Sequence, residues 1–179
     1  MIYSKEETTG LNEQTFHYIQ VKEEANCLTI TINRPEKKNA MNPVMVNEMA
    51  YALSYAHHNS GIWAVVIDAN GDVFSAGADL KAFAGLNQEE HSSSIPEPKE
   101  EVIIAELFTQ LHKPCIAKVH APVFAGAFLI ICGCTHVVAA DTATFALPEV
   151  KRGIWPMQVM QSLIEILPAR NALDLCMRG

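Results

Sequence analysis

Two short segments carry the residue types that could stabilise a developing negative charge. Phe74-Ser75-Ala76-Gly77-Ala78-Asp79-Leu80-Lys81 reads as a strand end running into small residues and then a helix start. Pro122-Val123-Phe124-Ala125-Gly126-Ala127 repeats that order ahead of an apolar helix. Small residues let a ligand approach the main chain, and a helix start leaves N–H groups without intrahelical acceptors. The helix dipole adds partial positive charge at the same place. Two such ends that converge make an oxyanion hole, in which one donor is worth about 2.7–4 kcal/mol. Taken singly, either segment also fits a tight strand-to-helix packing turn.

A carboxylate beside such a hole could move protons. Glu149 lies between Pro148 and Val150 in a mostly apolar stretch, where desolvation favours proton-transfer competence. The alternative is an exposed acid, or one paired with Lys151 or Arg152. Other chemistries are less well served. Ser75 lacks the G-x-S-x-G setting of a hydrolase nucleophile. His112, His120 and His136 fall singly at strand edges and read as structural, with no H-x-x-x-H pair, so no metal site is expected. The five cysteines, Cys27, Cys115, Cys132, Cys134 and Cys176, are odd in number and lie in apolar segments. They suit reduced, buried thiols better than a disulfide framework.

The elements around these segments alternate. His17 to Glu23 and Cys27 to Asn33 are short alternating runs about Glu24-Ala25-Asn26, a hairpin signal. Asn42-Pro43 opens a helix whose buried stripe is Val46, Met49, Ala50, Leu53 and Ala56. Ile62 to Ala69 is a near-continuous apolar strand, expected in a sheet covered on both faces. Gln88 to Glu101 is polar and reads as a mobile loop. A helix over about 102–111, the strand Cys115 to Val119, a buried helix from Phe124 to Cys134 and short strands at 137–140 and 144–146 follow. Gln158 to Leu167 and Ala169 to Met177 close the chain as helices. Such alternation predicts an α/β domain.

The totals bound the partners. In 179 residues, 49% hydrophobic and 18% charged, there is ample material for a packed core. No apolar run reaches the roughly 18–20 residues of a membrane helix, and residues 1–10 lack a basic-then-apolar leader pattern. A cytoplasmic protein that binds no membrane is expected. A net charge of -7 disfavours nucleic acid, so an anionic ligand would need a local basic patch.

Asn33-Arg34-Pro35 ahead of Asn39-Ala40-Met41-Asn42, FSAGADLK, the Ala125-Gly126-Ala127 turn some forty residues on, and Phe145-Ala146-Leu147-Pro148-Glu149 follow one another along the chain. Together they make the chain resemble the enoyl-CoA hydratase/isomerase (crotonase) family from about His17 to Gly179. The resemblance implies a crotonase-like ββα spiral fold with its C-terminal helical part truncated. Residues 1–16 would be an N-terminal tail, 17–156 the acyl-CoA-binding core and 157–179 the start of a shortened helical region. It implies oxyanion amides at Ala78 and Gly126, and in Glu149 the family's second catalytic glutamate. Lys37, Lys38, Ala40, Ala76, Asp79 and Leu80 would line the path of coenzyme A, which belongs to the substrate, so no separate cofactor is implied. Trp155 would wall the acyl pocket or pack in the core.

Two departures matter. The family's hydratases place a first glutamate three residues after the second oxyanion glycine, and that position here is Leu129. The interval from Leu129 to Glu149 equals the family's interval between its two glutamates, so the register stands. Two-carboxylate hydration is thereby in doubt, and isomerisation, hydration with water held differently, or another enolate reaction survives. The family also continues past the position of Gly179 with helices that cover the pocket and build trimers. Apolar surface at Trp155, Met157, Met160, Leu163 and Leu167 is therefore expected to be bare, favouring a homo-oligomer, a trimer or hexamer. The reading is an acyl-CoA hydratase/isomerase-type enzyme. Its rivals are a non-catalytic acyl-CoA-binding relative and a crotonase-type decarboxylase or hydrolase.

Overall fold

In the computed structural model, which describes residues 1–86 and 93–179, the first hairpin pairs β1 (Ile19–Glu24) with β2 (Cys27–Ile32) antiparallel. Its two loop residues, Ala25 and Asn26, both take positive φ (51° and 63°), the twist that matches a two-residue hairpin. Helix α1 (Pro43–His58) begins where the Asn42 side chain accepts from Met45 N at 2.8 Å. That cap and Pro43 in the first turn fix its start. The stripe Val46, Met49, Ala50, Leu53 and Ala56 is buried as its spacing predicts.

The chain then returns as β3 (Ala64–Ala69), parallel to β2. After α2 (Leu80–Phe83) and α3 (Ile104–Gln110), β4 (Cys115–Val119) lies parallel to β3. Then come β5 (Val123–Phe124), α4 (Phe128–Gly133), β6 (His136–Ala139) and β7 (Phe145–Ala146). Helices α5 (Met157–Ile166) and α6 (Ala169–Arg178) follow. The main sheet runs β1-β2-β3-β4-β6, and β5 and β7 form a separate parallel pair. No described helix is long and apolar enough to cross a membrane.

Three expectations are corrected. β3 was expected to be covered on both faces, but only Val65, Ile67 and Ala69 are buried, while Ala64, Val66 and Asp68 are half-buried. The sheet packs α1 on one face and leaves the other partly open, and all four residues of edge strand β6 are exposed. The buried helix expected from Phe124 starts instead at Phe128, because Ala125 takes a left-handed φ of 54° and Ala125–Ala127 form a 3₁₀ turn. Leu163, expected bare, is buried. Residues 88–92 of the expected polar loop lie outside the described residues, and 93–103 carry no helix or strand.

Residues 1–16 lie on α1. Tyr3 N donates to Ser54 Oγ (3.3 Å), Tyr51 Oη to the Glu7 carbonyl (2.9 Å), and Tyr3, Thr8 and Leu11 are buried. Buried Glu48 accepts from His17 N (2.5 Å) and Tyr18 N (2.8 Å), tying the entry to β1 onto the same helix.

Candidate active site

Three segments run side by side into one place. Isolated bridges join Met41 to Ala78 and Ser75 to Val123, and β5 pairs Val123 with Phe145. Gly126 lies two residues beyond the end of β5 and Glu149 three beyond the end of β7, so this pairing carries both to the same end.

Main-chain crossings lock the first turn. Met41 N donates to the Gly77 carbonyl (2.8 Å), Asp79 N to Met41 O (2.8 Å), Ala76 N to Lys38 O (2.9 Å) and Phe124 N to Ser75 O (3.0 Å). Ser75 Oγ, fully buried, donates to Asn39 O (2.8 Å) and accepts from Gly77 N (3.2 Å), so its hydroxyl shapes the turn. Asn39 in turn accepts from Arg34 N and donates to the carbonyls of Asn70 and Val73. Gly77 holds φ 86°, and a Cβ there would stand 2.7 Å from Gly126 N. A Cβ on Gly126 would stand 3.4 Å from Ala78 N. The two small-residue turns meet main chain to main chain, and side chains would hold them apart. Neighbouring amides are taken, yet among the described residues no acceptor pairs with the N–H of Ala78 or of Gly126.

Arg34 and Asp79 fasten this turn from below. Arg34 Nη1 donates to Asp79 Oδ2 (3.0 Å) and to the Ala40 carbonyl (2.9 Å), and its guanidinium lies over the Tyr18 ring, 5.0 Å from the centroid. Asp79 Oδ1 accepts from Ala82 N (3.2 Å), capping the single turn of α2. Burial opposes ionisation of Asp79, but the Arg34 guanidinium and the Ala82 amide overcome it and hold the carboxyl below its ordinary value.

Two cavities meet at the paired turns. One of about 700 Å³ runs between α2, α3, α4 and α5 past Met41, Phe83, Phe108 and Cys132. The other, about 600 Å³, is lined by Lys38, Ala76, Glu149, Arg152 and Trp155. Ala78, Leu80, Gly126, Leu129 and Gln158 line both. Among the described residues Glu149 is the one carboxylate lining the second cavity, and its Oε2 is buried with no hydrogen-bond partner among them. Among the described residues it forms no salt bridge: Lys151 Nζ donates instead to the Gly179 carbonyl (2.9 Å). The 3₁₀ turn Val150–Arg152, closed by Gly153 at φ 74° with Arg152 N and Ile154 N donating to Glu149 O, holds its backbone.

Of the residues singled out from sequence, Glu149, Ala78, Gly126, Lys38, Ala76, Leu80, Leu129 and Trp155 are brought together around these cavities. Lys37, Ala40 and Asp79 are not on either wall: Ala40 and Asp79 are bound to Arg34, and Lys37 is exposed. Sequence reasoning missed Gln158, Arg152 as a cavity residue, and the α3 wall of the larger cavity. Gln158 follows Pro156 in the first turn of α5, a polar residue on an otherwise apolar stretch, and that contrast was the available signal. Cys132 faces the larger cavity with its thiol pushed up to about 11 by burial and by Glu165. Cys115 and Cys134 place their Sγ atoms 3.5 Å apart as free thiols. Among the described residues no group of His, Cys, Asp or Glu is placed to hold a metal ion.

A hairpin-led, mostly parallel sheet backed by helices, with paired small-residue turns facing a cavity, defines a crotonase-type fold. The enoyl-CoA hydratase/isomerase profile matches residues 22–179, and the chain belongs to that family. It is 31% identical over 154 residues to the mevalonyl-coenzyme A hydratase of Aspergillus fumigatus, covering 85% of this chain and 56% of that protein. The enoyl-CoA hydratase of Mycobacterium tuberculosis superposes with a TM-score of 0.74 at 30% identity, covering 90% of this chain and 62% of that one. An enoyl-CoA hydratase/isomerase from Marinobacter aquaeolei gives a TM-score of 0.76 at 28% identity, covering 90% and 63%. The chain thus spans about 60% of the length of the relatives it matches.

Proposed function

We propose that this chain is the acyl-CoA-binding core of a hydratase- or isomerase-type enzyme that holds a thioester enolate between the N–H groups of Ala78 and Gly126. The observation that carries the reading is the pairing of two amides with the buried Oε2 of Glu149 around one junction of cavities, all three without a hydrogen-bond partner among the described residues. Donors already in place cost no reorganisation as charge develops on the carbonyl oxygen. Glu149 is the acid and base. It takes a proton from C2 of a 3-enoyl thioester, the electrons move onto the carbonyl oxygen, and the proton returns at C4 as the enolate collapses. One carboxylate suffices for that shuttle.

Lys38 and Arg152 supply the local positive charge that an anionic nucleotide requires on an acidic protein, with Ala76 and Leu80 beside the thioester arm. Coenzyme A enters as part of the substrate, in a cytoplasmic setting, and no further cofactor takes part. The non-catalytic alternative is favoured by one observation, the buried Leu129 where a first carboxylate would stand. A turnover screen over crotonyl-CoA, a 3-enoyl-CoA and other acyl-CoAs, with product masses, decides between them. Isomerised or hydrated product lost in Glu149→Gln is the expected result. Tight binding without turnover of any substrate overturns the enzyme reading.

A further inference from the structure

Hydration asks for something the proton shuttle does not: a water held against C3 while Glu149 takes its proton. Leu129 cannot hold it. Among the described residues Gln158 is the one polar side chain that lines both cavities together with Ala78, Gly126 and Leu129. It stands in the first turn of α5, which packs on α4, the helix that carries Leu129. Gln158 is exposed, and among the described residues no protein group hydrogen-bonds to its carboxamide, Ser162 Oγ donating instead to its main-chain carbonyl. The next polar residues along α5, Gln161, Ser162 and Glu165, line only the larger cavity.

We propose that Gln158 orients the attacking water and so takes over the part of the carboxylate absent at position 129, which makes 2-enoyl thioesters substrates for hydration. This rests on the function proposed above. A carboxamide suits the role because its oxygen accepts and its nitrogen donates, and it does not titrate. The water donates one hydrogen to Gln158 Oε1 and the other to the Glu149 carboxylate. As Glu149 removes that proton, the water oxygen bonds to C3, the C2=C3 π electrons shift towards the thioester, and the enolate oxygen rests on Ala78 and Gly126. Glu149, now protonated, gives the proton to C2. One water has added across the double bond, and both carboxylate and carboxamide are as they began.

The test is the ratio of crotonyl-CoA hydration to 3-enoyl-CoA isomerisation in the wild type, Gln158→Met and Gln158→Glu. Butyryl-CoA affinity and thermal melting serve as controls for fold and binding. Methionine keeps length and helix compatibility while removing both hydrogen-bonding groups. The ratio should fall on the order of 10²-fold in Q158M, the cost of a misplaced reactant. Q158E should retain hydration but acquire a new dependence on pH, since its orienting group now titrates. A ratio within threefold of wild type in Q158M overturns the proposal, as does a wild type that isomerises but does not hydrate. Either leaves the enolate reading standing. A wild type that turns over neither substrate sinks both.

Discussion

A Cβ on Gly77 would stand 2.7 Å from the amide nitrogen of Gly126 and 2.8 Å from Ala125 Cβ. These residues lie 49 positions apart in the chain, and their contact sets the spacing of the two amides proposed to hold the enolate. Gly77 also sits at φ 86°, where an L side chain is strained.

Gly77→Ala therefore both clashes and strains. The expected result is a protein that keeps its main sheet, to which the Gly77 turn contributes no strand, but loses on the order of 10²-fold in kcat as the donors part. Steady-state kinetics on the best substrate of the acyl-CoA screen, beside a circular dichroism spectrum, checks it. Activity within threefold of wild type would mean that the spacing of the turns is not what the chemistry uses.

The Arg34–Asp79 pair should set a limit on acid stability. The folded protein holds the Asp79 carboxyl below its ordinary value of 3.8, so the folded state binds fewer protons there than the unfolded chain. The stability this contributes is present above 3.8 and is lost as pH falls through the folded value. Asp79→Asn removes a carboxylate paired with a fully buried guanidinium side chain and should cost about 3 kcal/mol or more at pH 7. Urea denaturation at pH 7 and pH 3 measures this. A cost unchanged between the two pH values would separate the pair from acid sensitivity.

Much of this arrangement was legible in the sequence because local rules governed it. The two-residue hairpin, the Asn42-Pro43 cap and the α1 stripe each follow from a few adjacent residues. Motif order points to Glu149, Ala78 and Gly126, and the β5–β7 ladder and the isolated bridges bring the segments that carry them side by side. What stayed hidden depends on distant partners. The left-handed Ala125 is an alanine where pattern reading expects a helix to start, and only the approach of Gly77 makes sense of it. Asp79 looks like a ligand-path residue in its motif, and its commitment to Arg34 crosses 45 residues. Periodicity on α5 marks Val159 and Leu163 as the buried face once Gln158 and Ser162 are seen to face a cavity, which sequence alone does not supply.

Glu149→Gln should lower both isomerisation and hydration by about 10²–10⁴-fold while leaving butyryl-CoA affinity within a few-fold. Among the described residues the Oε2 atom has no partner to lose, so stability should hold. Leu129→Glu is the complementary change and should raise hydration relative to isomerisation. Its carboxylate would be buried beside Gln158, whose carboxamide can donate to it and offset part of the desolvation. Rates on crotonyl-CoA and a 3-enoyl-CoA for each variant are the measurement. Full turnover in Glu149→Gln would remove Glu149 as the acid and base.

Self-association is a prediction drawn from the outer faces of α5 and α6. Met157, Ile164, Ile166, Leu173, Leu175 and Met177 are exposed there, as are Val137 and Val138 on β6. The patch lies partly elsewhere than its sequence pattern suggests: Trp155 and Met157 are exposed, Met160 and Leu167 half-buried, and Leu163 buried. Monomers rarely leave contiguous apolar patches beyond a few hundred Å² in water. A second copy of this chain is the partner always present, and each exposed helix face can be covered by its counterpart in a closed ring. The expected species is a trimer or hexamer at micromolar concentration, read by sedimentation or light scattering. Ile166→Lys with Met177→Lys should shift it towards monomer, since a charge at a covered site must be desolvated. The same change should leave the monomer fold intact, because both side chains point to solvent in the isolated chain. A wild type that stays monomeric across that range refutes the association, and an oligomer unmoved by the double lysine variant relocates its interface to β6 or beyond.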